Sequence, residues 1–93
     1  PTERRIKKMK YTFYSFHDSV TNGYSNPFLQ QNRAQAIRTA KWKADESKLQ
    51  EIEDVSLVEL GEFDSETGET YGAEPKQLCK LVELKKEFKN EKS

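Results

Sequence analysis

Apolar and polar positions alternate in two stretches of the chain and recur at helical spacing in a third. The first stretch, Lys10-Tyr11-Thr12-Phe13-Tyr14-Ser15-Phe16-His17, holds four aromatics in six positions and lacks a helical period. It predicts a strand. Alternation sends Tyr11, Phe13 and Ser15 to one face and Thr12, Tyr14 and Phe16 to the other. Both faces therefore carry rings: one can pack on a helix, and the other is either a second contact, such as a dimer interface, or a stacking surface for bases. The second alternating stretch, residues 55–63, also predicts a strand, with Val55, Leu57 and Phe63 on one face and Val58 and Leu60 on the other.

Between them lies a helix signal. Asn32 is a cap residue and Gln35 sits three positions later, as in a capping box. From Arg33 to about Leu49 the chain has no Gly or Pro, and Ala36, Ile37, Ala40 and Ala44 form a narrow stripe of mainly small residues suited to close packing on a sheet. Arg38, Trp42 and Asp45 fall off that stripe. Trp42 then either folds down over a sheet edge or contacts a nucleic acid or a partner.

Turn chemistry separates these elements. Asn22-Gly23 marks a loop or irregular hairpin after the first strand. Pro27 restricts Phe28-Leu29-Gln30 to a short edge segment, with Phe28 plugging the core. Asp64-Ser65-Glu66-Thr67-Gly68 predicts a hairpin turn with Gly68 in the left-handed region, Glu69-Thr70-Tyr71 returning as partner strand, and Gly72, Ala73 and Pro75 ending it. Leu78, Leu81, Val82, Leu84 and Phe88 fall roughly on a helical stripe, which predicts a second helix over residues 75–88; a strand through residues 78–84 is the alternative. The expected fold is α+β: a small, mainly antiparallel sheet of three to four strands on one long helix, with a second C-terminal helix. Residues 1–8 form a flexible basic arm, residues 9–89 one domain, and residues 90–93 a frayed tail.

Composition adjusts this picture. With 93 residues the core is near the lower limit for independent stability, so help from a partner subunit would be unsurprising. No apolar run approaches the roughly 20 residues that span a bilayer. The lone Cys79 cannot form an internal disulfide, in keeping with a reducing compartment. The zero net charge hides a segregation. Residues 1–43 hold nine Lys/Arg against two Asp/Glu, residues 44–74 hold one against eleven, and residues 75–93 hold six against three. Basic ends around an acidic middle suit nucleic-acid contact at one pole or charge pairing between subunits.

Candidate chemistry is sparse. The single histidine, His17, follows a strand and precedes turn residues, which favours a surface role over a catalytic base. The acidic turn at residues 64–69 fails the register of a calcium loop, and there is no Cys/His metal spacing, phosphate-binding glycine loop or nucleophile elbow. No enzyme activity, cofactor, metal, membrane contact or small-molecule substrate is expected. The nucleic-acid reading rests on Arg4, Arg5, Lys7, Lys8 and Lys10 beside the aromatic strand, and on Arg33, Arg38, Lys41, Trp42 and Lys43 on the helix. Such cations would make binding salt-dependent, and stacked rings would add roughly 1–3 kcal/mol per base. The acidic middle would repel phosphates from its own side.

Several segments together resemble a known family. Met9-Lys10-Tyr11-Thr12-Phe13, Asp18, Asn26-Pro27-Phe28, Asn32 with Ala36-Ile37-Arg38, and above all Gly61-Glu62-Phe63-Asp64 with Thr67-Gly68, followed by Pro75 and Leu78-Cys79-Lys80-Leu81, resemble the small nonstructural protein of gokushovirus-type microviruses. These are phages with circular single-stranded DNA. The resemblance covers about residues 9–88. It implies a protein of the host bacterial cytoplasm, absent from the capsid, that acts in genome replication or in the switch to single-stranded synthesis and packaging. It assigns no catalytic residue. The expectation is a non-enzymatic accessory protein, as a homodimer, binding single-stranded DNA or phage and host replication proteins. The alternative is a protein–protein adaptor that engages a host factor through an apolar sheet face, without DNA contact.

Overall fold

The structure, a computed structural model, describes residues 10–85. The expected basic arm with Arg4, Arg5, Lys7 and Lys8, the tail at residues 90–93, and Phe88 lie outside the described residues. The elements run β1 (Lys10–Asp18), β2 (Gly23–Tyr24), β3 (Phe28–Gln30), α1 (Arg33–Glu46), α2 (Leu49–Ile52), β4 (Val55–Asp64) and β5 (Thr70–Lys80), followed by a 3-10 turn at Leu81–Glu83. The fold is α+β with a mostly antiparallel sheet of five strands and two helices, one of them long.

β1 and β4 are the central pair, antiparallel from Lys10 opposite Asp64 to Asp18 opposite Val55. β5 lines the far edge of β4. Along the other edge of β1 lie two short strands, β2 opposite His17 and Asp18 and β3 opposite Thr12 to Tyr14. Ser25 bridges the gap between them. Its N–H donates to the Phe16 carbonyl at 2.9 Å, and its Oγ accepts the Phe16 N–H at 3.0 Å. The buried Ser15 hydroxyl donates to the Ser25 carbonyl at 2.7 Å. The ladder thus survives a break that Pro27 would otherwise open.

α1 covers one face of the sheet. The Asn32 side chain caps it by accepting the Gln35 N–H at 2.9 Å, as the sequence predicts. Ala36, Ala40 and Ala44 are fully buried against Tyr14, Leu57, Ile52 and Leu81. Phe28 stacks 5.4 Å from Phe16 and 6.0 Å from Tyr14, confirming its place in the core beside the helix start. At the other end, Lys85 is buried and its Nζ donates to the carbonyls of Ala44 and Ser47 at 3.1 and 2.6 Å, joining the Ser47 N–H on Ala44 at the helix C-terminus, where cations are favoured. α2 is a separate turn whose Ile52 enters the same core, so the expected helix to Leu49 divides at Ser47.

Four expectations are corrected. The sheet has one strand more than the upper count expected, because β2 and β3 are separate short pieces. The segment expected as a second helix from Pro75 instead continues β5 to Lys80 and closes in a single 3-10 turn. Gly72, Ala73 and Pro75 do not end the strand, because residues 73–75 form a bulge opposite Leu60 and pairing resumes at Lys76 with Glu59. A bulge on an edge strand is where a proline, which has no N–H to give, does least harm.

The fourth correction concerns β4. Pairing skips Leu60, since Tyr14 faces Glu59 and Phe13 faces Gly61. One extra residue reverses the alternation beyond it. Phe63 therefore stands with Val58 and not with Leu57: it lies opposite Tyr11, with its ring 6.3 Å from that of Phe13. Glu62 and Asp64 pass to the helix side.

The candidate interface on the second sheet face

Among the described residues no helix lies over the second face of the sheet. Register and alternation give its positions: Tyr11, Phe13, Ser15 and His17 from β1, Tyr24 from β2, Leu29 from β3, and Ser56, Val58, Gly61 and Phe63 from β4; of these Ser15, Ser56, Val58 and Gly61 are buried, and the skipped Leu60 lines a concavity beside Phe13. β5 adds Thr70, Gly72, Gln77 and Lys80. None of these positions is Asp or Glu. The β4 carboxylates Glu59, Glu62 and Asp64 all fall on the helix side, where Glu59 accepts the Arg33 Nε–H at 2.8 Å. The acidic middle of the chain thus turns its β4 carboxylates away from this face.

Two aromatic groups stand on it. Near the start of β1 are Tyr11, Phe13 and Phe63, all half-buried; at the other end the His17 ring lies 4.5 Å from the half-exposed Tyr24 ring. His17 Nε2 is 3.0 Å from Asn22 Oδ1, which holds it at the turn. Asn22 itself carries the positive φ of that turn, at 60°. Between Phe13 and β5 the face dips into an open concavity of about 270 Å³, walled by Phe13, Pro27, Leu60 and Thr70 and floored by the backbone of Gly61, Tyr71 and Gly72.

The helix cations expected to form one basic surface diverge. Arg33 is held by Glu59 at the sheet. Lys41 pairs with Asp45 at 3.0 Å and reaches the Leu84 carbonyl at 3.3 Å. Lys43 lies 5.3 Å above the Phe16 ring on the other flank. Arg38 and Trp42, one turn apart, project opposite the alanine stripe, and Trp42 is 67% exposed, so it does not fold over a sheet edge. Arg38 makes no ion pair among the described residues. Lys10 opens β1, exposed and opposite Asp64.

The remaining chemistry is structural. Asp64 forms the expected turn: its Oδ1 accepts the Glu66 N–H at 2.8 Å and its carbonyl the Gly68 N–H at 2.7 Å, with Gly68 at φ +80°. Burial pushes the Cys79 thiol up, with a further push from Glu83. The Tyr14 phenol is also raised, chiefly by burial. Tyr71 is raised by its hydrogen bond to Glu69. Among the described residues no three His, Cys, Asp or Glu side chains gather to hold a metal, and no helix is long and apolar enough to cross a membrane.

Sequence reasoning found Tyr11 and Phe13 but gave Phe63 to the wrong face, because a bulge leaves no mark in an alternating pattern. The only available signal was Gly61, the residue beside it. Fold and surface define a small sheet-and-helix protein with an aromatic sheet face that carries no helix among the described residues. Its family is a phage one: the chain belongs to the phage ORF5 protein family, whose sequence model matches residues 11–84. No curated protein and no solved structure matches the chain.

Proposed function

We propose that this phage protein is a non-enzymatic accessory factor of genome replication that binds single-stranded DNA across the aromatic second face of its sheet. Tyr11, Phe13 and Phe63 are the stacking rings. The observation that carries the reading is the bulge at Leu60, which exchanges Glu62 and Asp64 for Phe63 on that face. A polyanion meets rings there and no paired carboxylate, while Arg4, Arg5, Lys7 and Lys8 precede Lys10 closely in the sequence and Lys80 stands on the face itself. Resemblance to the nonstructural protein of gokushovirus-type microviruses supports a role in replication or in the switch to single-stranded synthesis and packaging. On this reading the protein acts in the host bacterial cytoplasm, outside the capsid. The homodimer is taken as its working unit, since so small a core gains from a partner.

Fluorescence anisotropy with a labelled single-stranded oligonucleotide tests this. Binding should be present at low salt and weaken steeply as salt rises. Tyr11→Ala with Phe63→Ala should weaken it further at every salt concentration, by roughly 1–3 kcal/mol per lost stack. No binding at low salt, or binding indifferent to salt, overturns the reading.

The exposure of Trp42 favours a second reading, a protein–protein adaptor anchored by that ring, because exposed Trp and Arg are the residues most often found at binding hot spots. Here Trp42→Ala should abolish capture of a host protein and leave oligonucleotide retention intact. Arg38→Glu with Lys41→Glu separates the two further: loss of DNA retention with the host partner kept would bring the helix into the DNA site.

A further inference from the structure

We infer that the concavity beside the bulge is a subsite for one nucleobase of the bound strand, an inference that rests on the single-stranded DNA reading above. Its volume of about 270 Å³ falls just below the roughly 300–1,000 Å³ of small-molecule clefts, which suits one planar ring system and not an extended ligand. Phe13 and Leu60 supply apolar walls, and Thr70 supplies a hydroxyl at the rim. Residues 60 and 73–75 take no part in the paired register of β4 and β5, so the backbone beside the concavity is not committed to that ladder. A base needs such a combination: a ring or methyl group against its face and donors or acceptors along its edge.

The two glycines have different parts. A Cβ on Gly61 would run into the Tyr71 backbone, so Gly61 is required by strand packing whether or not anything binds. A Cβ on Gly72 would meet nothing within 4 Å, and its φ is not in the left-handed region. Strand packing alone therefore gives no reason for glycine at position 72. Its missing side chain is what keeps the concavity open, and a larger residue there fills the space without straining the strand.

The test compares the wild-type chain with Gly72→Val, using a labelled thymidine oligonucleotide and a wholly abasic strand of the same length. Gly72→Val should keep the thermal midpoint and the salt slope of the wild type while lowering affinity about 5- to 150-fold, the effect of one lost stack. On the abasic strand the two proteins should bind alike. In ¹⁵N spectra of the wild type, thymidine monophosphate should shift the amides of Gly61, Thr70 and Gly72. If the wild type binds with the expected salt dependence but Gly72→Val binds equally tightly and those amides stay still, the subsite is overturned and the DNA reading stands. If Gly72→Val dissociates a wild-type dimer and leaves DNA affinity unchanged, the concavity receives a protein side chain and the inference fails. If the wild type binds no oligonucleotide at low salt, both readings fail.

Discussion

Gly61 on β4 packs directly against the backbone of Tyr71 on β5, so closely that a Cβ at position 61 would intrude on the Tyr71 carbonyl and come within 3.1 Å of the Gly72 Cα. The two strands close on each other where both bulge, and the glycine is what lets them. Gly61→Ala must push β5 away over residues that pair on either side of the bulge. It should cost about 1–3 kcal/mol, the usual range for overpacking. Urea unfolding followed by circular dichroism would give the number, and an unchanged midpoint would mean the strand yields freely.

Lys85 ties the end of the described chain to the C-terminus of α1, and Lys41 reaches back from the helix to the Leu84 carbonyl. Two ammonium groups thus clasp the segment after the 3-10 turn. Replacing Lys85 with Met keeps the apolar stem but leaves the carbonyls of Ala44 and Ser47 without this donor. The loss should be about 1.5–3 kcal/mol, as for hydrogen bonds to a charged group. Exchange of amide protons in the last turn of α1 should quicken in parallel.

Ser25 holds the two pieces of edge strand in one register. Ser25→Ala deprives the Phe16 N–H of its acceptor and the Ser15 hydroxyl of a neighbour 3.1 Å away. A cost of about 0.5–1.5 kcal/mol is expected, the net worth of one hydrogen bond at an exposed site. Because β2 carries Tyr24, the same change should loosen the His17–Tyr24 contact, visible as narrowing of the chemical-shift spread of the His17 ring protons.

Burial raises both the Cys79 thiol and the Tyr14 phenol. In each case the unfolded chain gives up its proton at lower pH than the folded one. Stability should therefore be insensitive to these groups at neutral pH and fall as pH rises past the ordinary thiol value of about 8.5 and then the phenol value of about 10. Cys79→Ala should remove the first part of that decline. A denaturation midpoint that stays level from pH 7 to 10 in the wild type would contradict it.

The long helix, its Asn32 cap, both central strands and the Asp64–Gly68 turn were legible, because each is written in short-range chemistry: a capping oxygen, an alanine stripe, alternating rings, a glycine free to take positive φ. The end of the chain was not. Leu78, Leu81, Val82 and Leu84 satisfy a helical stripe, yet pairing with Ser56, Leu57 and Val58 draws residues up to Lys80 into the sheet, and a bulge absorbs Pro75. Ladder partners more than ten residues away decide that choice, and local periodicity does not record them. Nor does it record Leu60, whose single skipped position moves Phe63 across the sheet. The candidate face was thus half visible: Tyr11 and Phe13 could be read from β1, whereas Phe63 and the concavity depend on register. Arg33 and Lys41 looked like free cations only because Glu59 is distant in sequence and the geometry of the i to i+4 pair with Asp45 is a matter of rotamer.

The central pairing of β1 with β4 also sets an order of events during synthesis. Lys10 waits for Asp64 and Asp18 for Val55, so the most aromatic strand of the chain leaves the ribosome well before its partner exists. The β4–β5 hairpin, closed by the turn at Asp64, can form from neighbours, whereas the β1 ladder must first close a loop that contains all of α1. Until then Tyr11, Phe13, Tyr14 and Phe16 have only the short strands β2 and β3 and the alanine stripe of α1 to shelter them. A newborn chain is most vulnerable to aggregation in that interval, at the same rings that the finished sheet carries on its two faces.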